Sequence, residues 1–204
     1  MTFNEMKSRF QSILNRSDCD DDQATICLQD ALGRIARTAR LPNMERTVIT
    51  TVRDQPEQFL AIPPDLLQVI DIYVDDCQGQ PQALDLKSYR DLLRYPKGGE
   101  PFAYSRFQGT FVFRGAVPKG RDITLLYYGE FSDFPNGDSE NEISASNPDL
   151  VIYGALPFAA DIFDHPSKDA WEARYQSMLS EVIGLGADLD TLGGSTAINS
   201  MYQD

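Results

Sequence analysis

The hydrophobic period of this chain changes twice, and that double change limits its possible folds more than any other feature. From the start, Phe3, Met6, Phe10, Ile13 and Leu14 recur at helical spacing. Thr2 with Glu5 three residues later makes a capping-box pattern, which predicts a helix from about Thr2 to Asn15. A break rich in Asn, Ser and Asp follows at residues 15–22. A second helix is predicted from about Gln23 to Leu41, with Leu28, Ala31, Leu32, Ile35 and Ala39 on one face and Pro42 as its stop. The two patterns predict an antiparallel helix pair.

The period then becomes that of strands. Thr47–Val52 and Val69–Val74 are rich in β-branched residues, with a rigid corner at Ala61-Ile62-Pro63-Pro64-Asp65 between them. Asp76–Gln80 reads as a hairpin turn into a short strand near Gln82–Leu84. Leu86–Tyr95 reads as a short helix ended by Pro96-Lys97-Gly98-Gly99. Three more strands are expected at Phe102–Phe107, Thr110–Arg114 and Ile123–Tyr128, giving about six in all.

Helical spacing returns near the end. Asn147 reads as an N-cap, with Pro148 at the first helical position and Asp149 next to the positive end of the dipole. The helix so begun is apolar through Phe163, and Pro157 is expected to kink it. Ser167 caps another helix, along which Trp171, Tyr175, Met178, Val182 and Leu185 recur. Gly184 and Gly186 are expected to end it, leaving an extended tail. The predicted fold class is α+β: a helical bundle core (residues 1–46 and 131–186), an inserted small antiparallel β module with one short helix (47–130), and a flexible C-terminal tail (187–204).

Composition excludes several classes. The chain has 204 residues, 42% apolar and 24% charged, which suits a globular protein with a real core. No apolar run approaches the ~18 residues of a membrane span. The first residues lack the basic flank and apolar stretch of a signal peptide. Cys19, Cys27 and Cys77 are odd in number and without C-x-x-C spacing, so free thiols in a reducing compartment are expected. The net charge of −13 opposes a broad grip on nucleic acid phosphates. That charge is uneven: residues 131–204 hold 2 basic and 13 acidic groups.

No catalytic fingerprint emerges. The phosphate-loop, dinucleotide, zincin and nucleophile-elbow patterns are all missing from the sequence. The Asp18, Asp20, Asp21, Asp22 run superficially matches a calcium loop, but Gln23 and Gln29 stand where Gly and Glu are required. A solvated turn is the better account. His165 is the single histidine and sits in a Pro-flanked connection with no nucleophile implied beside it. The Arg34, Arg37, Arg40 stripe on the second helix has two readings: a solvated face, or a subunit interface that meets acid from a neighbour.

Several strings, in order along the chain, resemble the head-to-tail adaptor (connector) proteins of tailed bacteriophages. They are Ile62-Pro63-Pro64-Asp65-Leu66 before a strand, Gly99-Glu100-Pro101-Phe102-Ala103-Tyr104, the Pro118 loop, and the strand Leu125-Leu126-Tyr127-Tyr128. The clearest is Asn147-Pro148-Asp149-Leu150-Val151-Ile152-Tyr153-Gly154-Ala155-Leu156, followed by a helix with Trp171 and Tyr175. Leu66, where an aromatic is common, and Pro157, in a helix usually free of proline, depart from the pattern.

The resemblance implies a structural protein of the virion neck, made in the host cytoplasm, with no enzymatic activity and no cofactor. Such adaptors form a homo-oligomeric ring of twelve subunits beneath the portal protein. The ring carries the tail nozzle or tail-tube proteins and lets genomic DNA pass through its lumen without specific binding. No membrane is involved. In that setting Arg34, Arg37 and Arg40 are expected at the subunit interface. Leu189, Leu192, Ile198, Met201 and Tyr202 are expected to anchor the tail on the portal. Two alternatives stay open: a tail-associated peptidoglycan hydrolase, and an oligomeric binding module with another partner.

Overall fold

A computed structural model describes residues 1–53, 57–96 and 98–193, with 186–193 as backbone alone. The chain divides into two compact units. One joins Met1–Met44 to the chain from Phe131 onward, and the other is Glu45–Glu130.

The helical unit holds α1 (Phe3–Leu14), α2 (Asp21–Thr38), a 3-10 turn (Pro42–Met44), α4 (Glu142–Ser146), α5 (Pro148–Phe163) and α6 (Lys168–Gly193). Helix α1 starts with the expected capping box: the Glu5 N–H donates to Thr2 Oγ1 (3.3 Å), and the Thr2 N–H donates to Glu5 Oε2 (2.9 Å). Its next orphan donors reach the loop after the β unit. The Phe3 N–H donates to Ser139 O at 3.1 Å and the Asn4 N–H to Gly137 O at 2.8 Å. The acidic run builds a second cap rather than a calcium loop. Asp20 accepts from the Gln23 N–H (2.8 Å), Asp21 and Asp22 fill the first turn of α2, and Asp18 pairs with Arg16.

Helix α5 is the centre of this unit. Leu150, Val151, Ile152, Ala155, Leu156 and Ala159 are buried over most of its surface, while Asp161 and Ile162 near its end are exposed, as expected of a largely apolar helix. The predicted α1–α2 pair does touch, but each of the two packs mainly on α5. Close approach is possible because the facing residues are small. A Cβ on Gly154 would lie 3.1 Å from the Tyr175 ring of α6 and 3.4 Å from Ala31 of α2. The helix continues through Pro157 to Phe163.

The second unit contains β1 (Glu45–Thr51), β2 (Glu57–Ala61), β3 (Leu66–Asp75), β4 (Pro81–Ala83), β5 (Asp85–Leu86), α3 (Tyr89–Leu92), β6 (Ala103–Phe107), β7 (Thr110–Val117) and β8 (Asp122–Gly129). They form two four-stranded sheets in the orders β1-β8-β3-β4 and β2-β7-β6-β5. Strict alternation along β7 and β8 turns Phe111, Phe113 and Val117 inward from one sheet and Ile123, Leu125 and Tyr127 inward from the other. With Leu60, Ile72, Val74, Leu84 and Tyr104 they make one core shared by both sheets.

The chain ends of this unit lie side by side, since Glu45 pairs with Tyr128 in the antiparallel β1–β8 ladder. The Pro-Pro-Asp corner secures them. Asp65 accepts from the Tyr127 hydroxyl at 3.1 Å, pairs with Arg46 Nε at 3.3 Å, and takes the Glu130 N–H on its carbonyl at 2.8 Å. Gly129 leaves room for this, because a Cβ there would sit 2.5 Å from Arg46 Nε and 2.8 Å from Asp65 Oδ2.

The expected architecture is corrected on three points. The molecule is a mixed α+β fold, and a helical bundle core with a small β module does not describe it: the sheets carry eight strands and a core of their own. The β part is not wholly antiparallel, because β5 runs parallel to β6. The C-terminal part is not extended from residue 187, because α6 continues to Gly193. Each miss has a physical cause. Strand β2 follows Pro56 and lacks clean alternation, and β5 is only two residues long. A helix-interior glycine costs about 1 kcal/mol relative to alanine. That is too little for Gly184 and Gly186 to stop a helix that continues into Ala187 and Leu189.

Replacing Gly154 by Leu should destabilise the protein by about 1–3 kcal/mol through overpacking. Denaturant unfolding of wild type and variant measures it, with a lowered midpoint and unchanged slope as the expected result.

Candidate functional site

Arg34, Arg37 and Arg40 do not act alike. Arg34 is half-buried and forms a fork with Glu172 of α6: Nη1 to Oε2 is 2.9 Å and Nη2 to Oε1 is 2.5 Å. Its guanidinium also lies 4.3 Å from the centre of the buried Tyr175 ring, a cation–π arrangement. Arg37 is exposed. Arg40, just past the end of α2, donates to Ala36 O at 2.8 Å and Ala39 O at 2.7 Å, serving carbonyls at the end of that helix. Arg34 and Arg37 lie on α2 and Arg40 two residues past its end, which corrects the expected three-arginine helix stripe, and Arg37 is the one that is exposed.

Hydrogen bonding from Arg34, ahead of the opposing effect of burial, holds the Glu172 carboxyl below its ordinary value of 4.5. A carboxylate whose folded-state value is depressed stabilises the fold above its unfolded value, and that contribution is lost as pH falls through the folded one.

His165 stacks on Trp171 with ring centres 4.5 Å apart, and its Nδ1 accepts from the Ser167 N–H at 3.2 Å. It is thereby part of the turn that starts α6. Burial pushes the Cys27 thiol up to about 11, which makes it a poor nucleophile at neutral pH. Cys77 stands exposed at the β3–β4 hairpin. Among the described residues, no group of three or more His, Cys, Asp and Glu could hold a metal ion, and no helix is long and apolar enough to cross a membrane. Of the tail residues, Leu189 and Leu192 fall within α6, whose backbone alone is described there, and Ile198, Met201 and Tyr202 lie outside the described residues.

The most developed surface feature was not legible beforehand. Helix α3 lies over β6, where Ala103 and Ser105 are small and buried, and Leu92 is its buried anchor. Ser88 caps the helix by accepting from the Asp91 N–H at 3.1 Å. Arg114 fastens the following turn by donating from Nε to Tyr95 O at 2.6 Å and from Nη2 to Leu93 O at 3.0 Å. Aromatic pairs mark both ends. Tyr89 stacks on Phe107 at 4.1 Å, and Tyr95 meets Phe102 edge-on at 5.1 Å. Between them Leu93 is 52% exposed, while Phe102, Phe107 and Tyr95 keep 41%, 39% and 39%. The sequence placed a short helix here, but amphipathic spacing alone did not separate apolar residues that pack inward from those left at the surface.

The family model of the SU10 adaptor protein matches residues 1–198. That is nearly the whole chain, and it takes in both units. The protein therefore belongs to the SU10 adaptor family and is a structural adaptor of a bacteriophage, a component of the virion neck. Among curated proteins none matches its sequence.

Removing the Arg34–Glu172 fork tests its part in the helical unit. A double-mutant cycle of Arg34→Met and Glu172→Gln should give a coupling of about 1 kcal/mol at pH 7. That coupling should vanish at acid pH as Glu172 protonates. Urea unfolding at a series of pH values reads both effects.

Proposed function

We propose that this adaptor assembles as a ring of twelve subunits beneath the portal protein. The ring attaches the tail nozzle or tail-tube proteins and conducts the genome through its lumen. The observation that carries the reading is the adaptor-family match over residues 1–198. The uneven charge supports it. An acid-rich surface near the lumen repels DNA and lets it slide, since phosphate binding needs the basic side chains that residues 131–204 hold only twice. No cofactor and no reaction belong to this role, and the protein is made in the host cytoplasm before joining the neck.

The domain plan follows the same logic. The helical part at residues 1–46 and 131–186 forms the body of the ring, and the β part at 47–130 reaches towards a neighbour or the tail. The C-terminal residues Leu189, Leu192, Ile198, Met201 and Tyr202 dock on the portal. Of Arg34, Arg37 and Arg40, Arg37 is the exposed one placed to meet a neighbouring subunit. Arg34 and Arg40 contribute by holding the helices that present it.

Two measurements test this. Native mass spectrometry of the protein alone and with portal should show a species near twelve protomers; a monomer under both conditions defeats the ring. Replacing Ile198, Met201 and Tyr202 by Ser should abolish portal co-sedimentation while leaving the melting temperature within about 2 °C, because an effect well below 1 kcal/mol shifts it no further. Undiminished binding by that variant defeats the docking role.

A further inference from the structure

The two units differ sharply in charge. The helical unit carries 8 basic and 19 acidic residues, a net −11, and the β unit carries 10 and 12, a net −2. Copies of this chain that met helical unit to helical unit would bring like charges together at separations where salt screens only partly. Contact between copies is favoured when unlike surfaces meet, which is also what a closing ring requires of each interface.

The α3–β6 surface is the unlike surface. Between residues 86 and 107 the chain has 5 basic and 2 acidic residues. Arg90 and Arg94 stand exposed on α3 and the turn after it, Arg94 in a solvent-exposed pair with Asp91 at 3.2 Å, beside Leu93 and the Tyr89–Phe107 and Tyr95–Phe102 pairs. Aromatic and arginine side chains together make the composition of an interface centre, able to bury apolar area and pair with carboxylates at once. The helical unit offers a matching corner at the α5–α6 junction. There Ile162 is 56% exposed, and Asp161, Asp164 and Asp169 are exposed around it. Lys168 pairs with Asp161.

We propose that the aromatic–arginine surface of α3 and β6 is an intersubunit docking site whose occupant is the α5–α6 corner of a second copy. Ile162 packs against Leu93 and the aromatic pairs, and the surrounding aspartates meet Arg90 and Arg94. This rests on the ring reading above and names the surfaces that close it. Each contact is heterologous, and the net −11 of one helical unit is set against the least acidic part of its neighbour.

The test is charge reversal with rescue. Arg90→Glu with Arg94→Glu touches neither core, so circular dichroism and melting should match wild type. Native mass spectrometry should show the ring fraction falling at least tenfold. Asp161→Arg with Asp164→Arg should do the same, and an equimolar mixture of the two variants should regain alternating assemblies. Leu93→Asp should also block assembly, as an apolar anchor must. If wild type forms no ring under any condition, the ring reading itself fails. If wild type forms rings and the Arg90/Arg94 variant forms them equally, the surface is wrong while the ring stands. Loss of assembly without rescue by the aspartate variant overturns the assignment of the occupant. Binding of a fluorescent single-stranded oligonucleotide at physiological salt, lost with Arg90 and Arg94, would assign the surface to nucleic acid and overturn the proposal as well.

Discussion

Helix α5 buries most of its surface between Leu150 and Ala160, leaving Asp161 and Ile162 near its end exposed, and the helical unit is organised by that burial. A helix buried over most of its surface needs neighbours on several sides, and they must come close to leave no void. Small residues make this possible. Gly154 admits the Tyr175 ring and lies close to Ala31 of α2, and Ala155 and Ala159 are also buried. Tyr175 then brings a second requirement, because its ring is fully buried and electron-rich. Arg34 answers it by lying over the ring and gripping Glu172 one turn earlier on α6. The polar lock and the apolar contact thus hold the same three helices, and weakening either loosens the other.

The β unit solves a different problem, that of an insertion whose two ends must return to one place. Pairing β1 with β8 brings the first and last strands into one ladder, and Asp65 ties them through Arg46, Tyr127 and the Glu130 N–H. The Pro63-Pro64 corner sets the direction from which Asp65 arrives, and Gly129 clears the space it occupies. A sequence string that looks like a mere rigid turn is in this way the clasp of the unit. Antiparallel strands with separate inward rows supply the rest, so the unit has its own core and does not borrow one.

Much of this was legible from the sequence because it is local. Capping at Thr2, the Asn147-Pro148 start and the alternation of β7 and β8 depend on residues within a few positions of one another, whereas α2 stops at Thr38, short of the expected stop at Pro42. Long-range partners were not legible. A helical wheel places Arg34 opposite the apolar face of α2, but Glu172 lies 138 residues away. The wheel therefore groups Arg34 with Arg37, whereas the fold separates them. The same limit explains the fold-class correction. Short strands such as β5 exist only through their neighbours, here a parallel pairing with β6, and nothing in Asp85-Leu86 itself specifies that. The extent of α6 exceeds the expectation for the opposite reason, because the propensity cost of two glycines is too small to stop a helix.

The fate of the basic residues shows why a charge count is a poor map of a surface. Arg9 pairs with Asp149, Lys7 with Asp21, Arg16 with Asp18 and Lys168 with Asp161, and Arg174 covers Tyr153. In the helical unit most positive charge is thus committed to fixing helices against one another, and the acid left over dominates its exterior. The α3 region differs because little of its decoration is needed for folding. Leu92 anchors the helix, Ser88 caps it and Arg114 fastens its end. None of these requires Leu93 to face solvent or Phe102 and Phe107 to remain part-exposed. Burial of apolar area drives association as it drives folding. Exposed aromatics that the core does not use are therefore free to be selected for what they touch outside the chain.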